Sequence, residues 1–296
     1  MRDKILLTGY NGFVGRFLQN NLGNSYKFRF YKRNSLIEIN EDVVIHLAGI
    51  SNYKKNDISG HKFYESNTDL TIALFDNFLN SKAKVFIFMS SVKSVLDSPE
   101  SVVTEETFAN PASHYGKSKL LAENYILSNI TSLDKRVYIL RPTLIHGPEN
   151  NGNLKLLHRL ISKNIPWFLT SFDNNRSYCS IYNLVFVINE LIQREDIPSG
   201  IYNVCDDDPI STNRLINLIA LSQNKSVLFL KVPKKLVRFI ARIGDIFSLP
   251  FNSELLGKLT GTYIVSNRKL IDAIGKRLPF SVVEGLNLTF KHFNKY

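Results

Sequence analysis

Cysteine is scarce in this chain. Cys179 and Cys205 are the only two of 296 residues, which excludes a disulfide framework and a thiolate metal cluster and fits a reducing compartment. Long hydrophobic runs are also missing. No apolar stretch reaches the roughly 18 residues that a membrane-spanning helix needs. The first apolar run, Ile5–Leu7, is stopped by glycines, so the segment MRDKILLTGYNGFVG lacks the apolar stretch of a secretory signal, and a cytoplasmic location is expected. Acidic residues are in deficit: 26 Asp and Glu face 37 Lys and Arg, giving a net charge of +11. Such an excess suits nucleic acid, an anionic membrane surface or a small polyanionic substrate, or is simply spread over a solvated surface. No basic segment is interleaved with aromatics in the manner of a nucleic-acid site, so no nucleic-acid partner is expected. The densest basic segment, PKKLVRFIARIGDIF (233–247), reads as an amphipathic helix. Its apolar stripe is expected to pack on the protein, with contact to a membrane surface as the alternative.

What is present is a strand–helix alternation. Apolar strands are expected at 4–8, 27–31, 42–48, 84–90 and 136–141, with helices at 12–22, 63–80 and from 114 between them. The run DVVIHLA is β-branched and continuous, as in a parallel strand buried on both faces. The order predicts a parallel α/β sheet covered on both sides. Beyond about 145 the pattern loosens. Helices are expected at 154–163, 182–194, 211–223, 234–246 and 281–293, the last opened by a Ser281…Glu284 capping box, with short strands at 200–204 and 226–231. This divides the chain into 1–150, to which elements from about 177–205 return, and a mainly substrate-binding lobe at 151–296.

Two motifs carry chemistry. The first is TGYNGFVG, with Gly9, Gly12 and Gly15 between the first strand and the first helix. Gly9 permits a tight turn, Gly12 lets backbone amides approach a pyrophosphate, and Gly15 allows close helix–sheet packing. Asn11, Phe13 and Val14 complete the candidate dinucleotide turn. After the second strand an NAD site usually carries an acid for the ribose 2′-hydroxyl. Here FRFYKRNS places Lys32 and Arg33 instead, which suits a 2′-phosphate, so NADP(H) is favoured and NAD(H) is the alternative. The second motif is HYGKSK. Tyr115 and Lys119 lie four residues apart, one helical turn, and an ammonium beside a phenol lowers its pKa toward the range where it can exchange a proton with a substrate hydroxyl.

Together with DVVIHLAG, ESNTDLT, FIFMSSVKS, LRPTLIHGP, NNRSYCSIYNL, YNVCDDDPIS and SVVEGL, these motifs occur in an order that resembles the extended short-chain dehydrogenases/reductases. This is the NAD-dependent epimerase/dehydratase family, and the resemblance is strongest to nucleotide-sugar 4-epimerases and UDP-4-keto-6-deoxy-N-acetylhexosamine reductases. It implies a Rossmann-type, doubly wound parallel sheet with a smaller mixed C-terminal substrate lobe. It implies Tyr115 as acid/base, Lys119 as its partner on the nicotinamide ribose, and Ser91 on the reacting oxygen. Leu47, Ala48, Gly49, Asn67, Ser90 and Pro142 would line the dinucleotide groove. Lys93, Asn153 and Arg176 would meet a nucleotide-diphosphate sugar, Arg176 through a guanidinium fork suited to phosphate. A homodimer through a helix pair that includes the Tyr115 helix is implied too.

Three departures refine the expectation. Val92 and Lys93 stand where dehydratases carry an Asp-Glu pair, which argues against water elimination. Lys93 resembles the S-S-[IV]-K run of the 4-keto reductases, where a cation polarises the keto group or meets phosphate, or is merely solvated at the cleft rim. Val95 replaces a tyrosine frequent in epimerases, and only about eight residues separate Asn34 from Asp42, where relatives hold adenine contacts. Reduction of a UDP-4-keto-6-deoxy-(N-acetyl)hexosamine for bacterial surface polysaccharide is therefore the favoured activity, and NAD-dependent 4-epimerisation the alternative.

Overall fold

A computed structural model describes residues 3–33, 35–51, 60–130, 134–150 and 152–295; Asn34 and Asn151, within two segments discussed above, lie outside it. The first half runs β1 (Lys4–Thr8), α1 (Phe13–Leu22), β2 (Lys27–Phe30), β3 (Val43–His46), α2 (His61–Tyr64), a π turn (Glu65–Asp69), α3 (Leu70–Leu79), β4 (Val85–Met89), a 3-10 turn (Val92–Ser94), α4 (His114–Ser128) and β5 (Arg136–Pro142). The second half runs β6 (Leu144–His146), α5 (Asn153–Ser162), β7 (Tyr178–Ser180), α6 (Ile181–Gln193), β8 (Gly200–Val204), α7 (Thr212–Ser222), α8 (Lys234–Ile246), α9 (Ser253–Thr260), α10 (Arg268–Ile274) and α11 (Val282–Phe293).

The main sheet is six-stranded, in the order β2-β1-β3-β4-β5-β8, with every pair parallel. The inner strands β1, β3, β4 and β5 are largely apolar on both faces because helices cover both faces, whereas edge strand β2 (KFRF) is mostly exposed. Ile5, Leu7, Val43, Ile45, Val85, Ile87, Tyr138 and Leu140 face one core, shared with α1, α6 and α10. Leu6, Val44, Phe86, Phe88, Val137 and Ile139 face the other, shared with α3 and α4. The strand order reverses between β1 and β3, and a crevice for a ligand is expected outside the carboxyl ends of strands at such a switch point. β2 is the sheet edge: the short 35–42 segment adds no further strand beyond it. A separate core of α5, α7, α8 and α11, with Trp167 and Phe172, underlies the C-terminal part. The capping box of α11 is formed, Ser281 and Glu284 each bonding the other's backbone amide.

Some expectations fail in detail. The strand expected at 226–231 is reduced to isolated bridges from Phe229 to Trp167 and from Lys231 to Leu169. The two-stranded sheet β6-β7 and helices α9 and α10 are additional, each too short for periodicity to stand out. The helix expected over 63–80 contains the π turn that carries Asn67. The apolar stripe of α8 does not pack whole on the protein. Only Val237, Ala241 and Gly244 are buried, while Leu236, Phe239, Ile240 and Ile246 are exposed. The reason is the small face: a Cβ on Gly244 would lie 1.9 Å from the Phe251 carbonyl oxygen, so the helix docks there and its bulky residues turn away.

Gly244→Ala is therefore expected to destabilise the protein by about 1–3 kcal/mol through overpacking. Gly257→Ala, exposed in neighbouring α9 with nothing within 4 Å of the added carbon, should stabilise by about 0.5–1 kcal/mol. Denaturant unfolding of both variants checks the pair; shifts of the same sign would refute the close approach.

Candidate active site

The glycine turn is built against the loop after β3. Gly9 has a positive φ of 66°, and a Cβ there would lie 2.7 Å from the Ala48 amide nitrogen. A Cβ on Gly15 would lie 2.5 Å from the Gly9 carbonyl oxygen. Gly12, the N-cap of α1, offers no side chain to satisfy the first-turn amides. The outcome is a glycine cradle at an uncapped helix N-terminus, next to Asn11, Phe13 and Val14, and it fits a dinucleotide pyrophosphate.

The far wall of the cradle is held from below. The Thr8 hydroxyl accepts from the Leu47 and Ala48 amides at 3.1 and 3.0 Å and meets His46 Nδ1 at 2.7 Å. His46 Nε2 lies 2.9 Å from the Thr71 hydroxyl, which donates to the Asn67 carbonyl at 2.7 Å. Since Thr71 spends its proton on Asn67, His46 must donate from Nε2 and accept from Thr8 at Nδ1. A neutral imidazole is required, and burial, with a smaller push from Lys119, lowers its pKa to about 3. Asn67 is fully buried. Its Oδ1 accepts from the Ile50 amide at 2.8 Å and its Nδ2 donates to the Ile50 carbonyl and Ser118 Oγ, both at 3.0 Å. Asn67 thus braces the groove behind Gly49, where a Cβ would meet its Oδ1 at 2.6 Å, and its amide is spent inside the protein.

The second half of the site is α4. Ser113 caps it, accepting from the Gly116 amide at 3.1 Å. One turn apart, Tyr115 is partly exposed and Lys119 is buried. Lys119 Nζ donates to the Met89 carbonyl at 2.8 Å and lies 4.7 Å above the Phe88 ring. Burial lowers the Lys119 pKa to about 8, with Glu123 acting the other way. Tyr115 departs from expectation: its pKa is raised, chiefly by burial, with the adjacent Ser91 hydroxyl lowering it and Glu123 raising it. The ammonium meant to lower it is bonded to Met89 instead. Ser91 stands at the N-cap of the 3-10 turn and accepts from the Lys93 amide at 3.2 Å. Pro142 ends β5, and Ser90 follows β4 directly, its amide donating to the Leu140 carbonyl at 2.8 Å.

Ser90 does not offer its hydroxyl to the groove, because it donates to Glu123. Glu123, fully buried, also accepts from Ser94 at 2.7 Å and from Arg141 Nη2 at 2.6 Å. Neither Glu123 nor Arg141 was expected at the site, although Tyr115, Lys119 and Glu123 follow each other at one-turn spacing. Lys93 is not free in the cleft: it donates to the Asp97 carbonyl and lies 4.8 Å above the Tyr263 ring. Asp97 in turn accepts from the Ala112 and Ser113 amides at 2.8 and 2.9 Å, tying the 3-10 turn to the start of α4. Burial lowers the Lys93 pKa, Asp97 opposes this, and Arg176 and Lys258 add to it, so three cations share this side of the cleft. Arg176 is tethered by a bond to the Lys258 carbonyl, and Asn153 is exposed in the first turn of α5.

At the other end, Lys32 and Arg33 are exposed just after β2, Arg33 only 3.5 Å from Ser66 Oγ. The nearby acid Glu41 is taken by Arg29, with Nη2 to Oε2 at 2.8 Å.

Residues 5–205 match the NAD dependent epimerase/dehydratase family. A UDP-glucose 4-epimerase of Vibrio cholerae is 29% identical, over 99% of this chain and 96% of its own. An N-acetyl-alpha-D-glucosaminyl-diphospho-ditrans,octacis-undecaprenol 4-epimerase of Escherichia coli O157:H7 is 25% identical over the same shares, 99% and 96%. Among solved structures, RMD from Pseudomonas aeruginosa complexed with NADPH superposes with a TM-score of 0.74 at 19% identity, covering 99% of this chain and 100% of that one.

The buried ammonium carries a testable consequence. From pH 8 to 10.5 the folded chain releases the Lys119 proton while the unfolded chain keeps it, so stability rises with pH across that window. Below it the penalty is present in full. Lys119→Met should therefore be more stable than the parent below pH 8 and lose that advantage toward pH 10.5. Thermal unfolding of both chains on either side of the window tests this; a difference independent of pH would refute it.

Proposed function

The chain belongs to the NAD-dependent epimerase/dehydratase family, and on that premise we propose that it reduces the 4-keto group of a nucleotide-diphosphate sugar with NADPH. The substrate class is a UDP-4-keto-6-deoxy-(N-acetyl)hexosamine, a precursor type for bacterial surface polysaccharide. One observation carries this reading: Lys32 and Arg33 stand exposed after β2 while the nearby Glu41 is paired to Arg29, so cations rather than a carboxylate await the 2′ position.

When bound, the dinucleotide supplies the hydride that reaches C4. The chain's residues manage the oxygen. Ser91 orients the keto oxygen and Tyr115 gives it a proton as negative charge develops there. A Tyr115 pKa raised by burial keeps that proton on the phenol at neutral pH, which suits the reductive direction. Lys119 would hold the ribose, and the Arg176 fork, with the positive field of Lys93 and Lys258, the diphosphate. The division into a dinucleotide part at 1–150 and a substrate lobe at 151–296, a cytoplasmic location and a homodimer through α4, which exposes Leu121 and Leu127, belong to the same reading.

The second reading, 4-epimerisation with retained NAD, is favoured by the two 4-epimerases that match this chain nearly end to end. Titration with NADPH and NADH, followed by reduced-nicotinamide fluorescence, separates the two. NADPH is expected to bind reversibly and more tightly, and Arg33→Ala to weaken NADPH about tenfold while leaving NADH unchanged, as for loss of one charge-assisted contact. NAD released only on denaturation would move the assignment to the epimerase. In either case Tyr115→Phe should lower kcat by about 10²–10⁴ without weakening dinucleotide binding.

A further inference from the structure

Helix α8 has two apolar faces, and only one is used. Val237, Ala241 and Gly244 dock against the C-terminal core. At about 100° per residue, Leu236, Phe239, Ile240, Ile243 and Ile246 fall in a second sector on the outer side, continued by Phe247 at the helix end. Apart from Ile243, which is half-buried, these are bulky residues in water: Leu236 is 49% exposed, Phe239 60%, Ile246 76% and Phe247 70%. Leu249, 48% exposed, follows directly. Among the described residues nothing covers this sector, and an exposed apolar patch of this kind marks an interaction surface.

The charge beside the sector selects the partner. Lys234, Lys235, Arg238 and Arg242 form the adjoining strip of the same helix. Among the described residues none of the four is ion-paired; Lys234 and Arg238 lie over the Phe172 ring at 5.8 and 6.0 Å. Asp245 is the single acid of the helix. A wide apolar sector edged by unpaired cations matches a helix lying in the plane of an anionic bilayer, with aromatics at the acyl boundary and ammonium and guanidinium groups at the lipid phosphates. A second copy of the chain fits less well. A two-fold interface would set the same patch against itself, bringing two strips of four cations together with a single acid, Asp245, on each helix to answer them.

We propose that the outer face of α8, with Phe239 and Phe247 as its apolar anchors and Lys234, Lys235, Arg238 and Arg242 as its phosphate contacts, docks the protein on an anionic lipid membrane surface. The α8 face neither adds to nor depends on the reaction assigned above.

The test is flotation of the full chain with phosphatidylcholine vesicles, with and without phosphatidylglycerol. The protein should float with the anionic vesicles, about tenfold less with the neutral ones, and less as salt is raised. Phe239→Ser combined with Phe247→Ser should reduce flotation about tenfold, with dinucleotide binding and the thermal midpoint unchanged. Lys235→Ser with Arg238→Ser and Arg242→Ser should remove the preference for anionic vesicles. Absence of flotation, or flotation that neither variant diminishes, would overturn the proposal. So would light scattering that shows a dimer dissociated by Phe239→Ser with Phe247→Ser, because a second copy would then be the occupant.

Discussion

A carboxylate shielded from water lies under the proton-transfer groups, and much of the site is hung from it. Glu123 stands one turn beyond Lys119 on α4 and accepts from Ser90, Ser94 and Arg141. Those partners belong to the end of β4, the 3-10 turn carrying Ser91, and β5. One anion therefore fixes the helix of Tyr115 and Lys119 relative to the turn of Ser91 and the strand leading to Pro142. Removing one partner of a buried ion pair costs about 3–5 kcal/mol, against a total stability of about 5–15 kcal/mol. The placement of Tyr115 and Lys119 is thus tied to an interaction worth a large fraction of the stability of the fold. The same anion keeps a proton on Lys119 against the pull of burial.

A second, uncharged network holds the dinucleotide side. It runs from Thr8 through neutral His46 and Thr71 to Asn67, and ends on the backbone of Ile50. It rejoins the first network at α4, where Ser118 accepts from Asn67 Nδ2 at 3.0 Å and its carbonyl accepts from Thr68 at 2.8 Å. The residues on either side of Ser118 along the helix face are Tyr115 and Lys119. The floor of the groove and the Tyr115–Lys119 pair therefore share one helix, so a displacement of either is felt by the other. His46 can serve here only because it is neutral: a charged imidazole would lose its acceptor role toward Thr8 and face the Lys119 ammonium.

Much of this was legible in the sequence. Continuous apolar strands separated by helices admit few arrangements other than a two-faced parallel sheet, and a glycine triplet between strand and helix has a steric meaning that the Gly9–Ala48 approach bears out. Four-residue spacing put Tyr115 and Lys119 on one face. What spacing does not encode is where a polar side chain points after folding. Ser90 and Asn67 sit beside the groove yet turn their polar atoms inward. Lys93 is drawn to the Asp97 carbonyl, and Lys119 to that of Met89. Lys93 finds its partner only four residues along the chain, and the other choices are decided by polar groups brought near by tertiary packing. The same limit applies to α8, whose pattern announces an apolar stripe but not that its three smallest residues would take the docking side.

Tethering also changes how Lys93 bears on the reaction. A lysine anchored between Asp97 and Tyr263 is a poor electrophile for a keto oxygen, since it is tethered away from the cleft and burial already disfavours its charge. What it does is hold the Ser91 turn against the start of α4 through the amides that Asp97 receives. The S-S-V-K run then bears on the proposed reduction only indirectly, through the turn that carries Ser91, and the exposed cations Lys32 and Arg33 lie at the opposite end of the groove. There, among the described residues, the sheet stops at β2 with no further strand beyond it. The charge displayed at that edge is the exposed pair Lys32 and Arg33, on which the NADPH reading proposed above rests. An open, cationic edge discriminates through a phosphate far better than through a ribose hydroxyl, because the attraction that survives in water is that between full charges.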